Sequence, residues 1–366
     1  MSEPPDSMNA ADSPATDHRI RADQWRFRLI ALFGGLLLAA ILAEASVRVF
    51  ELGPPVYAPR RFEPDAGVPF ARIPDGPIAY RPNAVFSSVY DPAGDLRGYL
   101  GPSGRITYRI NRHGMRGPDR PVEKAAGLFR VVCLGDSITF GEGVRYDDTY
   151  PARLEATLSK SRPGRRVEVI NAGVQAHGTL DEIAFYLLRC APFKPDVVTL
   201  GFFLNDATSG EETIRRNEAR THAWEPSGFS SISRIWEIVA RRRAAARLQA
   251  EYFAATRSGF SSERWEACRE ALRGMERISR EDGFRFVVVV FPILWGLDGD
   301  YPFEDLHRMI ADACRESNIE HVDLLDTFRN RRSESLWVHP TDQHPNEIAH
   351  RLAAECIARH LVESAN

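Results

Sequence analysis

The chain has 366 residues, enough for one α/β domain with attachments and too few for two full catalytic domains. Lys and Arg number 47 and Asp and Glu 50, a formal net charge of −3, and this balance argues against nucleic acid as the main partner. No Gly-rich phosphate loop, dinucleotide fingerprint, zinc-ligand spacing or internal repeat is visible, so no cofactor and no metal is expected.

Residues 1–24 are rich in Ser, Pro, Ala and Asp and read as disordered. Residues 1–28 are therefore taken as a cytoplasmic tail. Leu29 to Ala43 is an unbroken apolar run. As a helix it spans about 22 Å, short of the ~30 Å hydrocarbon core of a bilayer, and extension to Phe50 brings it to about 33 Å. Glu44 and Arg48, the two charges met on the way, stand four apart and can pair on one helix face. Residues 29–50 are thus expected to be a transmembrane signal anchor, with Arg19, Arg21, Arg26 and Arg28 inside and the rest of the chain exported. A cleaved signal peptide is the rival, because Ala43-Glu44-Ala45 has the small-x-small form of a cleavage site.

Residues 51–127 read as a Pro-rich linker followed by a small irregular or β region, in which Arg105 to Asn111 alternates as a strand. Its expected role is packing against the catalytic sheet, with Arg112 or Arg116 as a sharper candidate for holding an anionic substrate. From residue 128 to 364, short apolar strands alternate with amphipathic helices, the pattern of a parallel sheet covered on both faces. Within it, residues 207–262 form an insertion or lid-like region studded with Trp224, Phe229, Trp236, Tyr252 and Phe253. The five cysteines (Cys133, Cys190, Cys268, Cys314 and Cys356) lack CxxC spacing, and most fall at apolar positions. Buried thiols fit them better than a disulfide framework.

Chemistry concentrates at the strand ends. Val131-Val132-Cys133-Leu134-Gly135-Asp136-Ser137 breaks an apolar strand at a glycine and presents a serine where open α/β sheets bind ligands. Val167 to Gly173 and Asp196 to Asp206 read as further buried strands, the first ending in Gly and the second in Asn205-Asp206. Thr341-Asp342-Gln343-His344-Pro345-Asn346 precedes the last amphipathic helix. A lone Gly-Asp-Ser is most often a turn, and Asn-Asp by itself most often ends a strand. Four such blocks in order are far more specific.

Together these blocks, over residues 128–364, resemble those of the SGNH/GDSL hydrolases. The resemblance implies a flavodoxin-like three-layer α/β/α fold. It implies Ser137 as nucleophile, and an oxyanion hole from the backbone N–H of Ser137, the backbone N–H of Gly173 and the side chain of Asn205. His344 is the expected base, since imidazole titrates near neutrality, and Asp342 is expected to hold its tautomer. The Asp–His spacing here is two where the family usually has three, and Phe203 stands where the family usually has a glycine before Asn205. His339, also followed by proline, is the rival base. His177 is expected near the pocket mouth, and the other histidines are expected to be structural or exposed.

The function expected is a serine-dependent ester hydrolase acting through an acyl-enzyme on O-acyl (acetyl) groups of cell-envelope or exported carbohydrate. A polysaccharide O-acyltransferase would use the same triad, and a non-catalytic envelope glycan-binding protein is the reading from another class. The implied partners are an acylated glycan substrate and a membrane.

Overall fold

The computed structural model describes residues 14–53, 55–207, 228 and 232–363. They divide into two compact units. One comprises Met1–Pro55 with Trp224–Ala246, the other Val56–Ala223 with Arg247–Asn366.

The second unit is built on five strands, β1 (Phe129–Gly135), β2 (Val167–Gly173), β3 (Val197–Phe203), β4 (Arg285–Phe291) and β5 (Glu320–Asp323). All pair in parallel, in the order β2-β1-β3-β4-β5. This is the flavodoxin-like order, in which the direction of winding reverses between β1 and β3 and opens a crevice at their C-terminal ends. Every residue of β1 is buried, and β4 runs Phe286-Val287-Val288-Val289-Val290-Phe291 without a polar side chain. Strands so apolar on both faces require covering on both. Helices supply it, with Tyr150–Ser161 packed on Glu347–Glu363 and Thr179–Phe185 packed on Glu263–Asp282. The expected α/β/α architecture is the observed one.

Three glycines in register, Gly173 on β2, Gly135 on β1 and Gly201 on β3, level the strand ends beneath the site. A Cβ on Gly135 would lie 1.9 Å from Thr139 Oγ1, and one on Gly173 only 2.2 Å from the backbone nitrogen of Phe140. The row lets the short helix Ser137–Phe140 settle directly onto the sheet. Gly173 is therefore small to admit protein backbone.

Ahead of this domain, Arg61–Pro64, Val85–Val89 and Arg105–Arg109 form an antiparallel sheet, with Val85–Val89 in the middle. Its aromatic face meets the helix of Ser137. Phe140 lies 5.1 Å from the ring of Tyr108 and 6.0 Å from that of Phe86. Arg116 belongs to the same packing. It is buried, stacks on Tyr108 and Phe140, and donates to the carbonyls of Phe140, Gly141 and Val144. Its expected alternative as an anion-binding residue is thereby corrected, because a guanidinium committed to three buried carbonyls has no face left for a ligand. Arg112 is exposed and bonds the imidazole of His113.

In the first unit a helix runs from Pro14 to Val49, and its Gln24–Val49 portion is long and apolar enough to cross a membrane. Helix thus begins well before the apolar run at Leu29, where an unstructured tail was expected. No Gly or Pro interrupts residues 15–33, and nothing in that stretch stops a helix. The remainder of the expected tail lies outside the described residues. So do Trp224, Phe229 and the rest of 208–227 and 229–231 in the segment expected to be lid-like. The described part of that region is the helix Arg234–Phe260, whose Phe253 packs 4.8 Å from Phe303 as an ordinary core contact. All five cysteines are free, and all but Cys356 are buried.

Candidate active site

β1 ends at Gly135, and Asp136 then turns the chain by capping the next helix, its Oδ1 accepting from the N–H of Ile138 at 2.8 Å. Ser137 follows as the first helical residue, above the end of the central strand. Its Oγ lies 2.9 Å from Nε2 of His344, whose Nδ1 lies 2.5 Å from Asp342 Oδ1. In the tautomer this chain requires, Ser137 donates to Nε2 and Nδ1–H donates to the carboxylate. The residues expected as nucleophile, base and orienting acid are brought together.

The two-residue spacing of Asp342 and His344 has a simple cause. Both lie on the strand Asp342–Pro345, which pairs with Trp337–His339, and alternate residues of a strand face the same side. Asp342 Oδ1 also accepts the backbone N–H of His344, at 3.2 Å. Asn346 fixes the end of this hairpin. Its amide donates to the carbonyls of Ser335 and Trp337, and its oxygen caps the last helix at Ile348 and Ala349.

The rival base is removed from the chemistry. His339 is buried, with Nδ1 on Thr341 Oγ1 at 2.7 Å and Nε2 on the carbonyl of Asp91 at 3.0 Å. His177 is likewise enclosed, its Nε2 at 2.5 Å from the carbonyl of Ile78, so it does not line a pocket mouth as expected. Burial lowers its proton affinity despite that bond.

Of the expected oxyanion donors, Ser137 N–H opens its helix. Asn205 follows β3, and its side chain helps to hold the Asp136 carboxyl down. Burial pushes Asp136 up to about 6, against the opposing pull of Ile138 N–H, His344 and Asn205. The Gly173 N–H is engaged by Asn171 Oδ1 at 3.1 Å.

Electrostatics favour a charged relay. Burial disfavours the imidazolium of His344, but the Asp342 charge and hydrogen bond outweigh it and the net shift is upward. Burial also works against the Asp342 anion, yet His344 and Arg60 hold its carboxyl well below the usual range. Tyr90 donates to the other oxygen, Asp342 Oδ2, at 2.9 Å. Tyr90, Arg60 and the enclosed Glu142 are site residues that sequence reasoning missed. Glu142, in the Gly141-Glu142-Gly143 run after Ser137, was the one with a local signal. Among the described residues no cluster of His, Cys, Asp or Glu could hold a metal ion.

The model of the GDSL-like lipase/acylhydrolase family matches residues 133–352. No curated protein matches. Among solved structures, an acetyl xylan esterase is similar at 17% identity, over 64% of this chain and 100% of that one, with TM-score 0.41. An acetylxylan esterase from Geobacillus stearothermophilus is similar at 16% identity, over 64% and 94%, also at 0.41. A lipolytic protein of the G-D-S-L family from Desulfitobacterium hafniense DCB-2 is similar at 15% identity, over 63% and 98%, at 0.40. At such identities and TM-scores these likenesses add nothing to the family match and the sheet order.

Proposed function

The chain belongs to the GDSL-like lipase/acylhydrolase family and is a carboxylic ester hydrolase, and from that premise we propose that it works through an acyl-enzyme on Ser137. The continuous hydrogen-bonded chain from Ser137 Oγ through His344 to Asp342 carries this reading. His344 takes the hydroxyl proton as Oγ attacks the ester carbonyl, then returns it to the leaving alcohol. Asp342 holds the tautomer and stabilises the imidazolium. Water activated by His344 then attacks the acyl-serine, releases the acid and restores Ser137. The test is incubation with a panel of acyl esters, with and without sugar acceptors. Hydrolysis with accumulation of acyl-Ser137 is expected, and turnover without an acylated protein would remove the intermediate.

In this mechanism the negative oxygen of the tetrahedral intermediate is met by Ser137 N–H and the Asn205 amide. Gly173 N–H joins them as it yields its bond to Asn171. Asn205→Ala should lower kcat about 10²–10³-fold with a smaller change in KM. An unaltered kcat would reduce Asn205 to the end of a strand.

The substrate proposed is an O-acetylated carbohydrate outside the cytoplasm, a reading that depends on export by the N-terminal helix. Retention of that helix as an anchor is supported by Glu44. Its carboxylate bonds Arg48 at 2.6 Å and accepts from Ser233 Oγ at 2.9 Å and the N–H groups of Arg234 at 2.7 Å and Ile235 at 3.3 Å. It thereby caps the helix Arg234–Phe260, and cleavage at Ala43-Glu44-Ala45 would detach the cap. The native protein is expected to resist a carbonate wash of membranes, with an N-terminus upstream of Glu44. A mature N-terminus at Ser46 would establish a cleaved signal peptide instead.

A further inference from the structure

Charge beside the Ser137–His344–Asp342 relay exceeds what the reaction consumes. Glu142 lies two residues beyond the helix of Ser137, with its side chain 0% exposed. Its carboxylate accepts from Ser88 Oγ and Tyr108 OH, each at 2.7 Å, and from the Gln175 amide. Arg60, just ahead of the strand Arg61–Pro64, reaches both acids from one nitrogen. Nη1 is 2.6 Å from Glu142 Oε1 and 3.6 Å from Asp342 Oδ2. A packing role for Glu142 would be filled at least as well by an apolar residue of similar size, since desolvation of its enclosed carboxylate cancels most of what the pairing contributes.

The charge balance suggests another use. With His344 neutral, the two carboxylates and one guanidinium sum to −1, and with His344 protonated the group is neutral. We propose that Arg60 and Glu142 are positioning residues that tune His344 as a base, Glu142 favouring its imidazolium and Arg60 restraining that effect so that the free imidazole persists near neutrality. This rests on the reading of Ser137 and His344 given above. The Coulombic influence on His344 runs in these two directions, upward from Glu142 and downward from Arg60.

The other groups around His344 are the same in every variant of the pair tested below. On its own hairpin stands Asp342, while His339 is bonded to Thr341 and Asp91. From the Ser137 turn come Ser137 and Asp136; the Asp136 carboxylate, capped by Ile138 N–H, also feels the His344 charge but is unchanged in every variant below. From the last helix comes His350, which burial keeps neutral, pushed down to about 3, and which accepts from Tyr150 N–H. Arg116, which acts on His350, is committed to the carbonyls after Ser137.

The experiment is the pH profile of kcat/KM for a short-chain ester with the full-length protein, whose acid limb reports protonation of the free base. Arg60→Gln leaves two carboxylates facing His344, so the limb should move to higher pH by about half to one unit. Glu142→Gln removes an anion, and the limb should move to lower pH by about as much. Arg60→Lys should restore the wild-type limb, and the Arg60→Gln/Glu142→Gln double variant should lie near it. Direct NMR titration of His344 in Ser137→Ala should show the same displacements without turnover. Unmoved limbs and titrations, at whatever rate, would overturn the proposal and leave the pair structural. If Arg60→Gln does not fold, Glu142→Gln decides alone, because its amide oxygen still accepts from Ser88 and Tyr108. Activity surviving in Ser137→Ala would instead remove the reading beneath the proposal, a separate outcome.

Discussion

Ser137→Ala is expected to reduce ester turnover about 10⁶-fold, as loss of the nucleophile does in comparable enzymes, while the fold persists. Among the described residues the hydroxyl hydrogen-bonds His344 Nε2, and Ser137 is partly exposed. Its removal creates no large cavity and should change stability by less than about 0.5 kcal/mol. His344→Ala should be as damaging, because an unactivated serine hydroxyl is a weak nucleophile. Combining the two should cost little more than either, since the groups act as a unit. Kinetics of the three variants beside their thermal unfolding check this. Turnover by Ser137→Ala near the wild-type level would end the proposed mechanism, as would a silent His344→Ala.

Asp342→Asn is the second large effect, about 10⁴-fold in kcat. The unusual spacing in the sequence suggests a milder loss, but the structure puts Asp342 Oδ1 at 2.5 Å from Nδ1, with no intervening group. An amide there can present its NH2 to the ring, which drives the proton to Nε2 and leaves the serine without an acceptor. It also strips the anion that the Tyr90 hydroxyl and the Arg60 guanidinium face. The pH profile offers a second readout, since the His344 imidazolium of the free enzyme loses its main stabilising charge and the acid limb should move to lower pH. A loss below tenfold with the limb unmoved would show that Asp342 merely shapes the hairpin.

Much of this site is legible in the chain because the responsible signals are local. Apolar runs that stop at Gly135, Gly173 and Asn205 mark where buried strands emerge, and side chains at those exits must converge in a parallel sheet. Ser137 and His344 were identifiable from motif order before any geometry. The Arg116 alternative failed for a reason the sequence does not carry. An arginine beside a glycine-rich turn looks the same whether its guanidinium meets solvent or three backbone carbonyls.

What the sequence by itself determined, then, is the kind of element at each position and the residue types at each strand exit, since both follow from periodicity and turn chemistry over a few residues. Only the tertiary structure decided which polar groups share a space. Tyr90 and Asp342 meet across 252 residues of chain, and Arg60 joins them from just ahead of the small sheet. No local pattern encodes such a meeting, because it depends on how two sheets and a hairpin pack. The same holds for Gly173, whose missing side chain answers to the backbone of Phe140 lying 2.2 Å from where a Cβ would sit.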